Sequence, residues 1–571
     1  MNKLVSLLSS CDLADVTSLR KIYHATYQYY GTEISCDEEN RNSPEWVRFF
    51  ISFPLELLGI EDISASDGIV VADYCLREFA ALFEQIDFAK EHKTGKEKYT
   101  GTISILKASP IVTKRSSSYY ENSAITISLK IRFPVHMMEK RNVIAGKASV
   151  KIVKRVLATA IRRFVDEFDS SGLDKSLCLY RHQQDIRKLL KENRLIGFIA
   201  NGSILPRTDG DAPLNGAKPF ISPAEDEVEF VLSDGFKLKG MAIQEGVTVI
   251  TGGSYSGKST FLNGLLSGIY DHTLGDGREY CLLAKESFKL CAEDGRPVHN
   301  LDITPFIKPT SELDTTSFSS SHASGSTSQA ANLMEALAFG CKVILVDEDR
   351  TATNFMIRDA RMKEIIKNDT VTPFTDRVQQ IYQQAGTSTI LIIGGSSEFL
   401  DVADHVYLME AYTLKNYSAD IEKSRQHTAS FYSRNEKTAW VQKRIAQAAS
   451  LSPYKKFDGK YIREYVDVSA GVIRVGNMSM DISRVESIAS IQQQNAIAFF
   501  ILKLFKVAKA SEFNLYDVVS SLYKELLKNG LHTLYSSQFD VEYDMELPTL
   551  QDILFCISRI DEGFEVCSKS L

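Results

Sequence analysis

One run of residues carries the clearest chemistry in the chain. Gly252-Gly253-Ser254-Tyr255-Ser256-Gly257-Lys258-Ser259-Thr260 fits the spacing GxxxxGK[ST]. In such a loop the glycines let backbone amides turn inward around phosphate oxygens. Lys258 is long enough to reach β- and γ-phosphates, and the Ser259 hydroxyl is a Mg²⁺ ligand. Two carboxylates, Asp347 and Glu348, follow an apolar run well downstream. Asp347 is expected to hold the magnesium, directly or through water. Glu348 points elsewhere and can orient or deprotonate an attacking water. Ala323-Ser324-Gly325-Ser326-Thr327-Ser328-Gln329 places small hydroxyl residues and a glycine at a helix start. That reads equally as an anion site or as ordinary helix capping, and its place just before the acidic pair favours a γ-phosphate contact.

These residues need elements to hold them. Val247 to Ile250 is an apolar strand running into the loop, and Ser259 opens a helix after it. Val343 to Val346 and Thr389 to Ile393 are further strands of the fully buried type. Near-continuous apolar strands alternating with helices predict an α/β core with a mainly parallel sheet covered on both faces.

In this order the phosphate loop, the Ser-Gly-x-x-x-Gln segment and Val343-Ile344-Leu345-Val346-Asp347-Glu348 resemble the ATP-binding-cassette (ABC) superfamily. More closely, the chain is similar to the soluble family described as predicted ATPases of the ABC class. The similarity runs through Gly275-Asp276-Gly277-Arg278-Glu279, Asp302-Ile303-Thr304-Pro305-Phe306-Ile307, Thr353-Asn354-Phe355-Met356 and Asp401-Val402-Ala403-Asp404, and covers roughly residues 95 to 505. It implies an ABC-type P-loop NTPase core flanked by α+β N- and C-terminal domains. It also implies ATP and Mg²⁺ as ligands, with Gly252 to Thr260, Ser324, Gly325 and Gln329 binding nucleotide, Ser259 and Asp347 binding metal, and Glu348 and Lys258 in catalysis. Where transporters carry a switch histidine, this chain has Gly394-Gly395-Ser396, so Ser396 is the weak substitute and turnover is expected to be slow. Asn354 replaces an acidic residue of the interface loop, and Asp302 and Thr304 are candidates for the glutamine loop. In the superfamily the signature segment closes on the phosphate loop of an opposite subunit. One copy of each per chain implies a homodimer with two-fold symmetry. The family includes a member associated with mitochondrial RNA editing.

The 571 residues divide by pattern into 1–210, 211–425 and 426–571, with the Pro- and Gly-rich stretch Pro206 to Pro223 read as a linker. A net charge of −7 excludes a globally basic nucleic-acid binder. A local strip remains: Lys130 and Arg132 on a strand, then Lys140, Arg141, Lys147, Lys151, Lys154, Arg155, Arg162 and Arg163, opposed within that stretch by Glu139. Lys151, Lys154 and Arg155 share one side of a helix whose other face carries Val150, Val153, Leu157, Ile161, Phe164 and Phe168. Lys114, Arg115, Tyr119 and Tyr120 add charge and stacking surface. The strip reads as a nucleic-acid interface, RNA more than DNA, and otherwise as a solvated face or a protein-binding one. Two functions follow: an ATP-driven clamp on nucleic acid, or a nucleotide-gated protein scaffold.

No apolar run is long enough for a membrane span, and Leu4 to Leu8, ahead of Cys11, is too short for a signal core and reads as helix. Nine scattered cysteines without a CxxC pair read as reduced thiols of a cytoplasmic protein. Phe236 is a weak candidate for stacking on a base and His272 a turn residue.

Overall fold

The computed structural model describes residues 1–23, 25–39, 43–61, 63–85, 101–138, 141–424, 438–447, 454–457, 460–463, 466–507, 512–535, 544–560 and 565–570. Glu139 and Lys140, both part of the basic strip read above, lie outside them. The chain forms two compact units, Met1–Tyr180 with Leu526–Leu547, and Arg181–Glu525 with Pro548–Leu571.

In the first unit, alternation along Ala124–Arg132 sends Ile125, Ile127, Leu129 and Ile131 into the core. This strand pairs antiparallel with Trp46–Pro54 along its full length, and Val47, Phe49, Ile51 and Phe53 join the same core face. Tyr27–Tyr29, Thr32–Glu38, Thr102–Ile105 and Ser118–Glu121 complete the sheet. Phe53 meets Phe79 and Phe164 edge-on, with ring centroids 5.6 and 4.9 Å apart, so helices Asp67–Gln85 and Ala158–Asp166 are seated by aromatic contacts. The short helix Asn2–Ser10 buries Leu4 and Leu8.

The basic helix is interrupted. Gly146–Lys151 is α-helical, Ile152–Leu157 makes a π turn, and Ala158–Asp166 resumes the α-helix. The extra residue per turn shifts the face, so Val156 is buried together with Val153, Leu157 and Ile161, while Lys151, Lys154 and Arg155 stay exposed. Lys130 and Arg132 behave differently. Lys130 Nζ lies 2.6 Å from Glu39 and 3.7 Å from Asp544, and Arg132 pairs with Glu45 at 3.2 Å. Fully buried Arg48 joins the same network, 2.8 Å from Glu39 and 2.7 Å from Asp544. Arg115 is likewise buried between Asp73 and Glu546. Counting charges along the chain could not anticipate carboxylates arriving from remote segments. Lys130, Arg132 and Arg115 are neutralised inside the unit, and the strip contracts to the helix.

In the second unit the strand order is Ser287–Leu290, Val343–Asp347, Ser388–Ile392, Val247–Thr251, His405–Glu410 and Thr413–Asn416. All neighbours are parallel except the final hairpin. Every residue of Val343–Asp347 and Ser388–Ile392 is buried, as expected of strands covered on both faces. A second, antiparallel sheet runs Glu227–Val231, Lys237–Gln244, Leu195–Ala200 and Cys281–Leu283. The stretch expected to be a linker is packed instead: Arg207 pairs with Asp276 at 2.6 Å, and buried Phe220 lies 6.0 Å from Phe261. Further on, Val466–Ser469, Val472–Val475 and Met478–Asp481 form a meander, whereas Lys460–Arg463 pairs with Tyr454–Phe457. Helix Leu550–Ile557 stacks Phe555 on Phe288 at 3.8 Å and buries every residue from Gln551 onward. Among the described residues no helix is long and apolar enough to cross a membrane.

Candidate active site

Parallel register assembles the site. Ile392 stands opposite Ile250 on one side and Asp347 on the other. The phosphate loop, the acidic pair and Gly394 therefore leave the same edge of the sheet, the edge where open α/β sheets bind ligands.

The loop itself is built around two glycines. Gly252 has φ +152°, and a Cβ there would meet the Met409 carbonyl at 2.3 Å. Gly257 has φ +108° and starts helix Lys258–Ser267. Tyr255 also takes a positive φ, with its ring almost entirely in solvent. Lys258 Nζ donates to the carbonyls of Gly252 and Gly253, at 2.6 and 2.9 Å, which folds the cation over its own loop. Ser259 Oγ donates to Asp347 Oδ2 at 3.3 Å. The two residues expected to share a metal are thus neighbours, although 88 positions separate them.

Glu348 turns away from Asp347. Its Oε2 accepts from the amides of Gly394 at 2.6 Å and Gly395 at 3.3 Å, and among the described residues its Oε1 has no hydrogen-bond partner. Gly394 and Gly395 thus hold the glutamate through backbone. Ser396 plays no part in this contact: its hydroxyl donates to Glu398 at 2.8 Å.

The Ser324–Gln329 segment opens helix Gly325–Ala338. Ser324 is exposed, its hydroxyl 3.0 Å from that of Thr327, and Ser326 Oγ donates to Asn354 Oδ1 at 2.7 Å. Gln329, expected to bind nucleotide with Ser324 and Gly325, differs from them in its surroundings. It is fully buried, accepting from the Ala352 amide at 2.8 Å and directing its own amide at Met356 Sδ. It ties the helix to the loop after the acidic pair. Asp302 and Thr304 form an Asx turn, with Thr304 N donating to Asp302 at 2.9 Å.

Three features had no counterpart in the sequence reading. The hairpin residues Ala411 and Tyr412 both have positive φ, a strained choice for residues with side chains. The hairpin returns Tyr412 to the loop, where its amide donates to Ser256 O at 2.9 Å and its ring covers Gly257. Tyr412, Phe220, Phe261 and Thr260 line a small cleft beside the loop. Phe236, by contrast, stacks on His182 at 4.7 Å, and His272 is buried against Asp276. Second, Glu486 accepts from Lys289 at 2.8 Å and from Arg350, while Lys289 also donates to Asn263 of the phosphate-loop helix.

Third, a buried charge network supports the signature helix. Arg559 reaches Glu293 at 3.1 Å and Asn332 at 3.1 Å, and Arg296 pairs with Glu335 at 2.8 Å. Burial opposes the charge on Glu293, but Arg559 and Arg296 outweigh it and hold the carboxyl below its usual range. The Glu293 amide donates to Ser328 at 2.9 Å, so the network braces the start of the helix. Arg559→Ala leaves a buried carboxylate without its partner and is expected to cost about 3–5 kcal/mol in denaturant unfolding. Arg559→Met combined with Glu293→Gln is expected to recover much of that loss. Equal losses from the single and double changes would show packing, not charge, to be responsible.

The site tests its own fit to a nucleotide with magnesium. Ser256 Oγ is buried without a hydrogen-bond partner among the described residues, Gly252 leaves no space for a side chain, and Ser259 with Asp347 offers the oxygen donors that magnesium prefers. A phosphate loop at the edge of a parallel sheet, with a carboxylate beside its serine, defines a P-loop nucleotide-binding core.

Comparison with known proteins narrows this to particular domains. Residues 169–445 match the ABC_ATPase P-loop domain and residues 467–563 match the MRB1590 C-terminal domain. It is 26% identical over 342 residues to the uncharacterized protein MJ1628 of Methanocaldococcus jannaschii, an alignment covering 55% of this chain and 75% of that one. A solved ATP-binding cassette of an ABC transporter, MJ1267 in its ADP conformation, is 15% identical, covering 40% of this chain and 93% of that one at a TM-score of 0.23.

Proposed function

We propose that the chain binds and hydrolyses ATP as a two-fold homodimer, and that nucleotide-driven closure grips nucleic acid, RNA in preference to DNA. The observation that carries the hydrolytic reading is the pairing of Ser259 with Asp347 beside a Glu348 fixed by two backbone amides. In this reading Lys258 leaves the loop carbonyls for the β- and γ-phosphates. Ser256 and the loop amides bind phosphate oxygens, and Tyr412 lies against the base. Ser259 and Asp347 hold magnesium, which when bound neutralises charge on the phosphates. Glu348 Oε1 takes the proton of the attacking water. Ser324 and Gly325 of one subunit complete the site of the other, where exposed hydroxyls at a helix N-terminus suit a γ-phosphate.

The gripping surface is assigned to Lys151, Lys154 and Arg155, supported by their common exposure on one helix of an otherwise acidic chain. Changing all three to Glu is expected to weaken RNA binding and to flatten its salt dependence by about 0.7 in log–log slope for each phosphate that is no longer neutralised. An unaltered affinity and slope would remove nucleic acid from the proposal. A nucleotide-gated protein scaffold is the second reading, favoured by the internal pairing of Lys130, Arg132 and Arg115. Glu348→Gln protein, weighed in solution with and without ATP and magnesium, decides the dimer. Doubling of mass with ATP is expected, and a monomer under both conditions would refute it. RNA co-purifying with the ATP-bound form supports the clamp, and nuclease-resistant protein partners support the scaffold.

A further inference from the structure

The unit formed by Met1–Tyr180 and Leu526–Leu547 contains a cavity of about 200 Å³ that no part of the hydrolytic reading uses. Its wall is aromatic. Tyr119 and His532 face each other with ring centroids 5.7 Å apart and planes tilted by 34°, and Tyr120 occupies the space that a Cβ at Gly68 would need. Its rim is cationic. Lys114 is half-buried and donates to the Leu527 carbonyl, and Lys528 and His532 stand exposed beside it. Burial lowers the pKa of Lys114, with no carboxylate contributing in opposition.

Among the described residues, none of Lys114, Lys528 and His532 is in an ion pair. Arg115, which also lines the cavity, is neutralised by Asp73 and Glu546, and Lys130 and Arg132 by their own carboxylates. Glu121 is the acidic member of the lining. Two lysines and a histidine outside any ion pair, gathered around the Tyr119, Tyr120 and His532 rings, suit an anion that also carries a flat ring. Phosphate satisfies the lysines as point charges, and a base satisfies the imidazole face.

We propose that this cavity binds a nucleoside monophosphate unit, with its phosphate at Lys114 and Lys528 and its base against His532, either as a free nucleotide or as one residue of an RNA strand. The site is independent of the phosphate loop and does not require ATP hydrolysis. The test uses the full chain carrying Lys258→Ala, so that nucleotide held at the phosphate loop does not contribute. Binding of adenosine monophosphate and of a short single-stranded RNA is measured by titration at low salt. At least one is expected to bind, and adding Lys528→Glu with His532→Ala is expected to weaken it about tenfold or more, the scale of one base–aromatic stacking interaction. Loss of monophosphate binding alone on the double substitution assigns the cavity to free nucleotide, and loss of RNA binding alone assigns it to a strand, because RNA held at Lys151, Lys154 and Arg155 would not respond to Lys528→Glu with His532→Ala. In the chain that keeps Lys258, Lys528→Glu with His532→Ala is expected to leave phosphate release unchanged, which separates this site from the hydrolytic one. Absence of binding by both ligands, or binding indifferent to the double substitution, would overturn the proposal.

Discussion

Glu348→Gln is expected to lower the rate of phosphate release by about 10²–10⁴-fold while leaving nucleotide affinity close to that of the parent chain. The two properties separate because of how the side chain is held. Oε2 of Glu348 accepts from the amides of Gly394 and Gly395, and a glutamine oxygen can accept the same bonds. The turn keeps its shape, and what disappears is the capacity of the other oxygen to take a proton. Glu348→Asp sharpens the result. It retains the carboxylate but draws it back by one methylene, away from both amides, so its rate is expected to fall as well. Phosphate release and equilibrium nucleotide binding, measured on the same preparations, check this. Near-parental turnover in Glu348→Gln would show that another group activates the water.

Lys258→Ala is expected to give the opposite pattern, with hydrolysis reduced to background and nucleotide binding lost with it. The ammonium bonds to the Gly252 and Gly253 carbonyls at 2.6 and 2.9 Å, so the side chain already lies over the loop that is to receive phosphate. Each charge-assisted hydrogen bond to phosphate contributes roughly 1.5–3 kcal/mol, and alanine removes every one of them from ground state and transition state alike. A modest fall in affinity with hydrolysis retained would place the reacting phosphate elsewhere. Together the two variants distinguish a binding residue from one that acts on the water.

Much of this site was legible along the chain. The loop, its strand and helix, and the acidic pair are local patterns, and local patterns survive folding because register and backbone conformation are set within a few residues. What lay beyond reach depended on segments distant in sequence. The absence of a histidine after Thr389–Ile393 pointed to a weakened site, but the glycines there bring two amides to Glu348, which no reading of side-chain types reveals. Gln329 looked like a ligand contact by its position in a motif, and its burial against Ala352 and Met356 gives it a structural task. Tyr412 carried no signal, since a hairpin at the end of the sheet returns it to the loop.

The basic strip shows the same division most clearly. Sequence determined that the apolar stripe of residues 146–166 would face a core and that Lys151, Lys154 and Arg155 would not. Only the tertiary structure decided that Lys130 and Arg132 meet Glu39, Asp544 and Glu45. The physical reason is common to all these cases. Hydrophobic periodicity is a property of neighbouring residues, whereas a charge or a hydrogen-bonding group is satisfied by whatever the fold brings within about 3 Å, and that partner can come from anywhere in the chain.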